Sequence, residues 1–458
     1  MITGLPFHNR PVAVLGLARS GLAAVEALEA SGVRVLAWDD SPAAREAAAA
    51  RGIALTDLGT ADPAQWAALV MSPGIPLTHP TPHALARRAE EASVPVIGDI
   101  ELLWLANTGS GFIGITGTNG KSTTTALIGH ILSKTGKPVA VGGNLGTPVL
   151  SLPPLGGDGH YVIEMSSFQL DLIEETRFSV AILLNVTPDH LDRHGDMAGY
   201  VAAKRRIFRN QTAADTAIVA IDDDYCRTVA DGLAARTIRI SAERAVAGGI
   251  YALDGRLIDD SEGRAETVMD LAAVPSLPGR HNWQNAAAAY AAARSIGLAP
   301  AEIAAAIASF PGLAHRQELV GRLGKLRFVN DSKATNADAA AKALGCYEPI
   351  YWIAGGVAKA GGIEPLRDYF PRIRHAYLIG EATEAFAATL EGSVPVSRCG
   401  TLGPALRAAG DAARTDPAEA PVVLLSPACA SFDQYRNFEI RGDEFRRLVG
   451  TYLAEAAS

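Results

Sequence analysis

Short apolar runs, each followed by a glycine-rich or acidic turn and then by an alanine-rich stretch with helical spacing, recur along the chain. The run Val12, Ala13, Val14, Leu15 passes through Gly16-Leu17-Ala18-Arg19-Ser20-Gly21 into such a stretch, and a second run over 33–38 ends at Asp39-Asp40. A third, 68–71, ends in Ser72-Pro73-Gly74-Ile75-Pro76, and a fourth, 94–97, precedes a helix around 101–104. Strands of this length alternating with helices predict a parallel sheet. Asn107-Thr108-Gly109-Ser110-Gly111 reads as a linker.

The alternation restarts twice. In the middle segment an apolar run reaches Ile115, crosses a glycine-rich loop and enters a helical pattern at 126–132, with further strands predicted at 161–164 and 181–185. An alanine-rich helix is predicted over 281–296 and a second, shorter one over 301–307. Strands follow at 326–329, 350–354, 376–379 and 421–425. The pattern predicts an α/β protein of three domains, a Rossmann-like one (1–107), a central P-loop ATPase-type one (108–313) and a C-terminal Rossmann-like one (314–458). A length of 458 residues suits about three domains of ordinary size.

Charge and cysteine content narrow the classes of function. The net charge of -8 and the lack of a long basic run argue against nucleic acid or an anionic membrane as partner. Cys226, Cys346, Cys399 and Cys429 form no Cys-x-x-Cys pair, so neither a disulfide framework nor a zinc site is indicated. No apolar run approaches the roughly 20 residues of a membrane span, and a cytoplasmic monomer is expected.

The loop Gly114-Ile115-Thr116-Gly117-Thr118-Asn119-Gly120-Lys121-Ser122-Thr123 carries the strongest chemical signal. Its glycines allow backbone N–H groups to turn toward a phosphate, Lys121 can reach terminal phosphates, and the Ser122 hydroxyl suits magnesium. Two strand ends should share its sheet edge: Glu164 after 161–163, and Asp189-His190 beyond 181–185. Ser122 and Glu164 could hold a magnesium ion and His190 a second one. Lys204 falls on one helical face with Tyr200, Ile207 and Phe208. On that apolar stripe it is either a desolvated amine able to take up carbon dioxide as a carbamate, or a lysine whose stem covers the core.

An ordinary P-loop would have glycine where this chain has Ile115, and the form Gly-x-x-Gly-x-Asn-Gly-Lys-Ser resembles the loop of the Mur ligase and folylpolyglutamate synthetase superfamily. The resemblance implies ATP-dependent joining of a carboxylate to an amine, with Lys121, His190, Lys204 and Arg316 as catalytic residues. It implies two magnesium ions, held by Ser122, Glu164, His190 and a carbamylated Lys204. ATP would be bound by Gly117, Thr118, Asn119, Gly120, Lys121, Ser122, Thr123, Asn282, Asn285, Arg316 and Asp331.

Across nearly the whole chain the motifs look like the Mur ligases that add D-glutamate to UDP-N-acetylmuramoyl-L-alanine. Thr335, Lys359, Ser431 and Phe438 match the glutamate pocket. Arg19, Asp39, Asp40, Ser72, Gly74, Asn144 and Ser166 match the sugar-nucleotide side. Ala18 replaces the middle glycine of a dinucleotide fingerprint, so a plain βαβ turn competes with nucleotide binding there. The implied reaction runs through an acyl phosphate, with closure of the domains to exclude water. Rival readings are a ligase for L-glutamate or another amino acid, a folylpolyglutamate-type ligase, and a nucleotide-gated binding protein without turnover.

Overall fold

The computed structural model describes residues 1–7, 9–144 and 146–457. Among these, the strands form three large sheets and one two-stranded ribbon. The first sheet is parallel, in the order Val35–Trp38, Val12–Leu15, Ala68–Met71, Val96–Ile97. Its strands end together at Leu15, Trp38 and Met71, so the three turns that follow share one edge.

The second sheet has nine strands. Gly111–Thr116, which leads into the glycine loop, lies between His160–Glu164 and Val180–Leu183, parallel to both. Ile115 is level with Glu164, and Thr116 with Leu183. The edge strands Arg256–Asp259 and Glu266–Asp270 run antiparallel, a departure from the expected alternation. The buried strands carry continuous apolar runs because helices cover both faces. The third sheet is parallel except for Glu318–Leu323, an antiparallel edge strand.

Two compact units result. Met1–Leu271 with Asn282–Ser309 holds the first two sheets, and Ala272–His281 with Phe310–Ser458 holds the third. In the first unit, one apolar cluster runs from Val14 and Leu28 through Leu102 and Ile163 to Phe208. Glu101 helps to fix that arrangement: its buried carboxylate accepts from the backbone N–H groups of Glu174, Glu175 and Thr176 and from the Thr176 hydroxyl.

The expected helices form as Lys121–Lys134, Arg280–Ser295 and Pro300–Ala308. The helix of Lys204 is Met197–Arg205, followed by a tighter turn at Arg206–Phe208. No helix among the described residues is long and apolar enough to cross a membrane.

Candidate functional site

The glycine loop is built for close approach. Gly117 and Gly120 have φ of +149° and +84°, and a Cβ on Gly120 would lie 2.3 Å from Asn285 Oδ1. Only glycine suits that place. The helix starts at Lys121, so its N-terminal N–H groups face the loop. Lys121 Nζ folds back on the loop, donating to the carbonyls of Gly117 (2.9 Å) and Thr118 (2.8 Å). Asn285 and Asn282 stack behind it: Asn285 Nδ2 donates to Asn282 Oδ1, and its Oδ1 accepts from the Thr124 hydroxyl.

Sequence reasoning passed over Asn185 as a site residue. Its Oδ1 accepts from the Asn119 N–H at 2.8 Å, its Nδ2 donates to the Asn119 carbonyl at 3.1 Å, and its own carbonyl accepts from the Thr118 N–H. One side chain thus holds both backbone groups of a loop residue. A polar residue closing the apolar run next to the loop strand was the available signal. Thr118 is engaged too, its hydroxyl donating to the Thr187 carbonyl and lying 3.2 Å from the Tyr200 hydroxyl.

Glu164 is buried, with Oε1 accepting from Asn144 Nδ2 at 3.0 Å. Its Oε2 is buried with no hydrogen-bond partner among the described residues. A buried carboxylate oxygen without a donor is costly, and a cation at the loop edge would satisfy it. Among the described residues no group of three His, Cys, Asp or Glu side chains forms a ready cage.

Lys204 is only 2% exposed and donates to the same Gly117 carbonyl as Lys121, at 2.9 Å, while its ammonium lies 4.5 Å from the Tyr200 ring centre. Burial holds its pKa well below the usual lysine range, and the Lys121 charge pushes the same way. Two lysine amines thus share one carbonyl, and a positive charge on both at once is disfavoured. A carbamate on Lys204 would turn that repulsion into attraction. His190, in the left-handed region at φ +52°, stays half exposed, 3.5 Å from Asp189 and 4.9 Å from the Phe168 ring.

The candidates on the first sheet gather at the shared edge, but several are engaged internally. Asp39 accepts from the N–H groups of Leu17 and Ser41, and Ser72 Oγ donates to the Gly16 carbonyl. Asp40 is exposed and pairs with His83 at 2.8 Å. Arg19 donates to the Gly146 carbonyl. Gly74 keeps an open Cα face, with nothing near a would-be Cβ. Ser166 caps a short helix, accepting from the Gln169 N–H.

In the second unit, Arg316 sits between His315 and Gln317, whose φ values of +62° and +45° mark a strained turn. Asp331 is buried and accepts from the Ser426 hydroxyl at 2.8 Å and from the Gln317 N–H; burial pushes its pKa up to about 7. Thr335 follows on the same loop. The ribbon pairing Val357–Ala358 with Cys429–Ala430 brings Lys359 and Ser431 into one neighbourhood, though at its opposite ends. Lys359 is exposed, Ser431 is buried, and the Phe438 ring lies 3.8 Å under the Lys333 ammonium. Arg441, also outside the expected set, is 1% exposed and ties Ser332 to the Cys429 carbonyl.

Comparison with known proteins bears directly on this constellation. The Mur ligase middle domain matches residues 115–293. The UDP-N-acetylmuramoylalanine--D-glutamate ligase of Paramagnetospirillum magneticum is 55% identical over 455 residues, covering 99% of each chain. That of Caulobacter vibrioides is 53% identical, covering 99% of this chain and 98% of its own. The chain belongs to the Mur ligase family, in its D-glutamate ligase branch.

Solved Mur ligases share the fold at low identity. UDP-N-acetylmuramate-alanine ligase MurC from Thermotoga maritima aligns with a TM-score of 0.57 at 17% identity, over 97% of this chain and all of its own. MurF from Acinetobacter baumannii gives 0.57 at 19%, over 77% and 81%. In this Mur ligase the structure gathers Lys121, Ser122, Asn282 and Asn285 at one loop, with Glu164 level with the strand that feeds it. Ser72 and Asp39 form the internal bonds of the first βα turn.

Proposed function

We propose that the protein is the ATP-dependent ligase that joins D-glutamate to the alanyl carboxylate of UDP-N-acetylmuramoyl-L-alanine, in the building of peptidoglycan precursors. The observation that carries the reading is the pairing of a phosphate-type loop with an unsatisfied buried carboxylate oxygen on Glu164, one strand away. Full-length identity above 50% to D-glutamate ligases supports the choice of amino acid.

The chain's residues do the following. The Gly117–Ser122 backbone and Lys121 hold the ATP phosphates, with Asn282 and Asn285 toward the adenine end. Glu164 and Ser122, together with His190 and carbamylated Lys204, hold two magnesium ions, whose chemistry when bound is to neutralise charge on the transferring phosphoryl group. The alanyl carboxylate attacks the γ-phosphorus and ADP leaves, giving an acyl phosphate. The D-glutamate amine then adds to the acyl carbon and phosphate departs, leaving the amide and a released proton.

Arg316 and Asp331 are assigned to ATP, and Thr335, Lys359, Ser431 and Phe438 to glutamate, where lysine and hydroxyl donors suit a dicarboxylate. Arg19, Asp39, Asp40, Ser72, Gly74, Asn144 and Ser166 are assigned to the sugar nucleotide. Residues 1–107, 108–313 and 314–458 serve the sugar nucleotide, ATP and glutamate in turn, in a cytoplasmic monomer.

A coupled assay of ADP release tests the reading. Turnover is expected with UDP-N-acetylmuramoyl-L-alanine, ATP and D-glutamate together. Equal turnover with L-glutamate, or none with either enantiomer, would overturn it.

A further inference from the structure

Arg193 stands outside every role assigned so far, yet it links the turn after the third strand to the loop of His190. Its guanidinium donates to three successive carbonyls, those of Pro73 (3.5 Å), Gly74 (3.0 Å) and Ile75 (3.2 Å). It also lies 4.4 Å over the Phe168 ring, and that ring meets the His190 imidazole at 4.9 Å. A planar fork with several donors can bridge adjacent carbonyls while stacking on an aromatic face; an ammonium cannot do both.

The chain of contacts is therefore carbonyl turn, Arg193, Phe168, His190. Its first member belongs to the proposed sugar-nucleotide edge and its last to the proposed phosphoryl-transfer site. The turn is also fixed from the other side, because Ser72 Oγ donates to the Gly16 carbonyl. Arg193 is half-buried rather than solvated, so its stacking and hydrogen bonds are not those of a freely moving surface arginine.

We propose that Arg193 is a positioning residue that sets His190 relative to the turn at 72–76, so that seating the sugar nucleotide and orienting His190 are a single coupled event. The inference rests on the ligase reading above. It adds that binding at one edge is transmitted to the other through two side chains.

The test is a double-mutant cycle on the full-length enzyme with Arg193→Lys and Phe168→Leu, read by KM for each substrate, kcat and Tm. Arg193→Lys is expected to raise KM for UDP-N-acetylmuramoyl-L-alanine by about tenfold, as charge-assisted fork contacts are lost, with KM for D-glutamate unchanged. Phe168→Leu should do the same, and the double variant should be no worse than the poorer single one. Phe168→Leu keeps Arg193 but removes the ring on which its guanidinium stacks, so the fork is no longer held against the carbonyls, and this variant carries the test if Arg193→Lys does not fold. Multiplying effects in the cycle, or a loss of Tm and kcat with KM unchanged, would overturn the proposal. A wild-type enzyme without turnover would instead overturn the ligase reading.

Discussion

Asn185→Ala isolates one side chain's contribution to the ATP loop. The side chain makes two hydrogen bonds, accepting from the Asn119 N–H and donating to the Asn119 carbonyl, while the backbone bond from Thr118 N–H to the Asn185 carbonyl survives the substitution. At about 1 kcal/mol net for each bond, the loop loses about 2 kcal/mol of ordering, which must be supplied when ATP binds. That corresponds to roughly thirtyfold weaker ATP binding. Isothermal titration with a non-hydrolysable ATP analogue measures it, alongside a thermal melt. The expected result is a raised Kd with Tm lowered by only a few degrees, since the loop is a small part of a large unit. An affinity within about threefold of wild type would refute the idea that Asn185 holds the loop for phosphate.

Three further outcomes are expected. Glu164→Gln should leave the fold intact, because Oε1 keeps its Asn144 donor, but should raise the magnesium concentration needed for half-maximal rate; an unchanged magnesium titration would count against the ion site. Lys204→Ala should lose activity and regain part of it with a small carboxylic acid that replaces the carbamate, and full activity without that acid would sink the carbamate. Burial raises the Asp99 pKa from 3.8 to about 6, so the folded state holds that proton more tightly than the unfolded chain. Its contribution is full below the unfolded pKa and is lost as pH rises through about 6, at most about 3 kcal/mol. Asp99→Asn should therefore flatten the fall in stability between pH 4 and pH 7 in denaturant melts, and an unaltered slope would refute the assignment.

Periodicity and loop chemistry were enough to locate the strands of the first sheet, those flanking the glycine loop, the loop itself and Lys204 on a buried face, because each rests on neighbours within one turn or one strand. Tyr200, Lys204, Ile207 and Phe208 are all buried, as their spacing requires. The antiparallel edge strands and the Val357–Ala358 ribbon were not legible, since their pairing depends on partners far along the chain. Asn185 and Arg193 escaped for the same reason: a polar strand end and a loop arginine look ordinary until the opposing backbone is in place.

By itself, then, the sequence determined the α/β alternation, the phosphate loop and, through its likeness to the Mur ligases, the class of reaction. Those properties follow from local spacing and from residue types that few other roles demand. Only the tertiary structure decided that Lys121 and Lys204 converge on one carbonyl, that a Glu164 oxygen is buried without a donor, and that Ser72 and Asp39 serve the first βα turn. Hydrogen-bond satisfaction and desolvation belong to the folded assembly, where a group's partners come from segments tens of residues away.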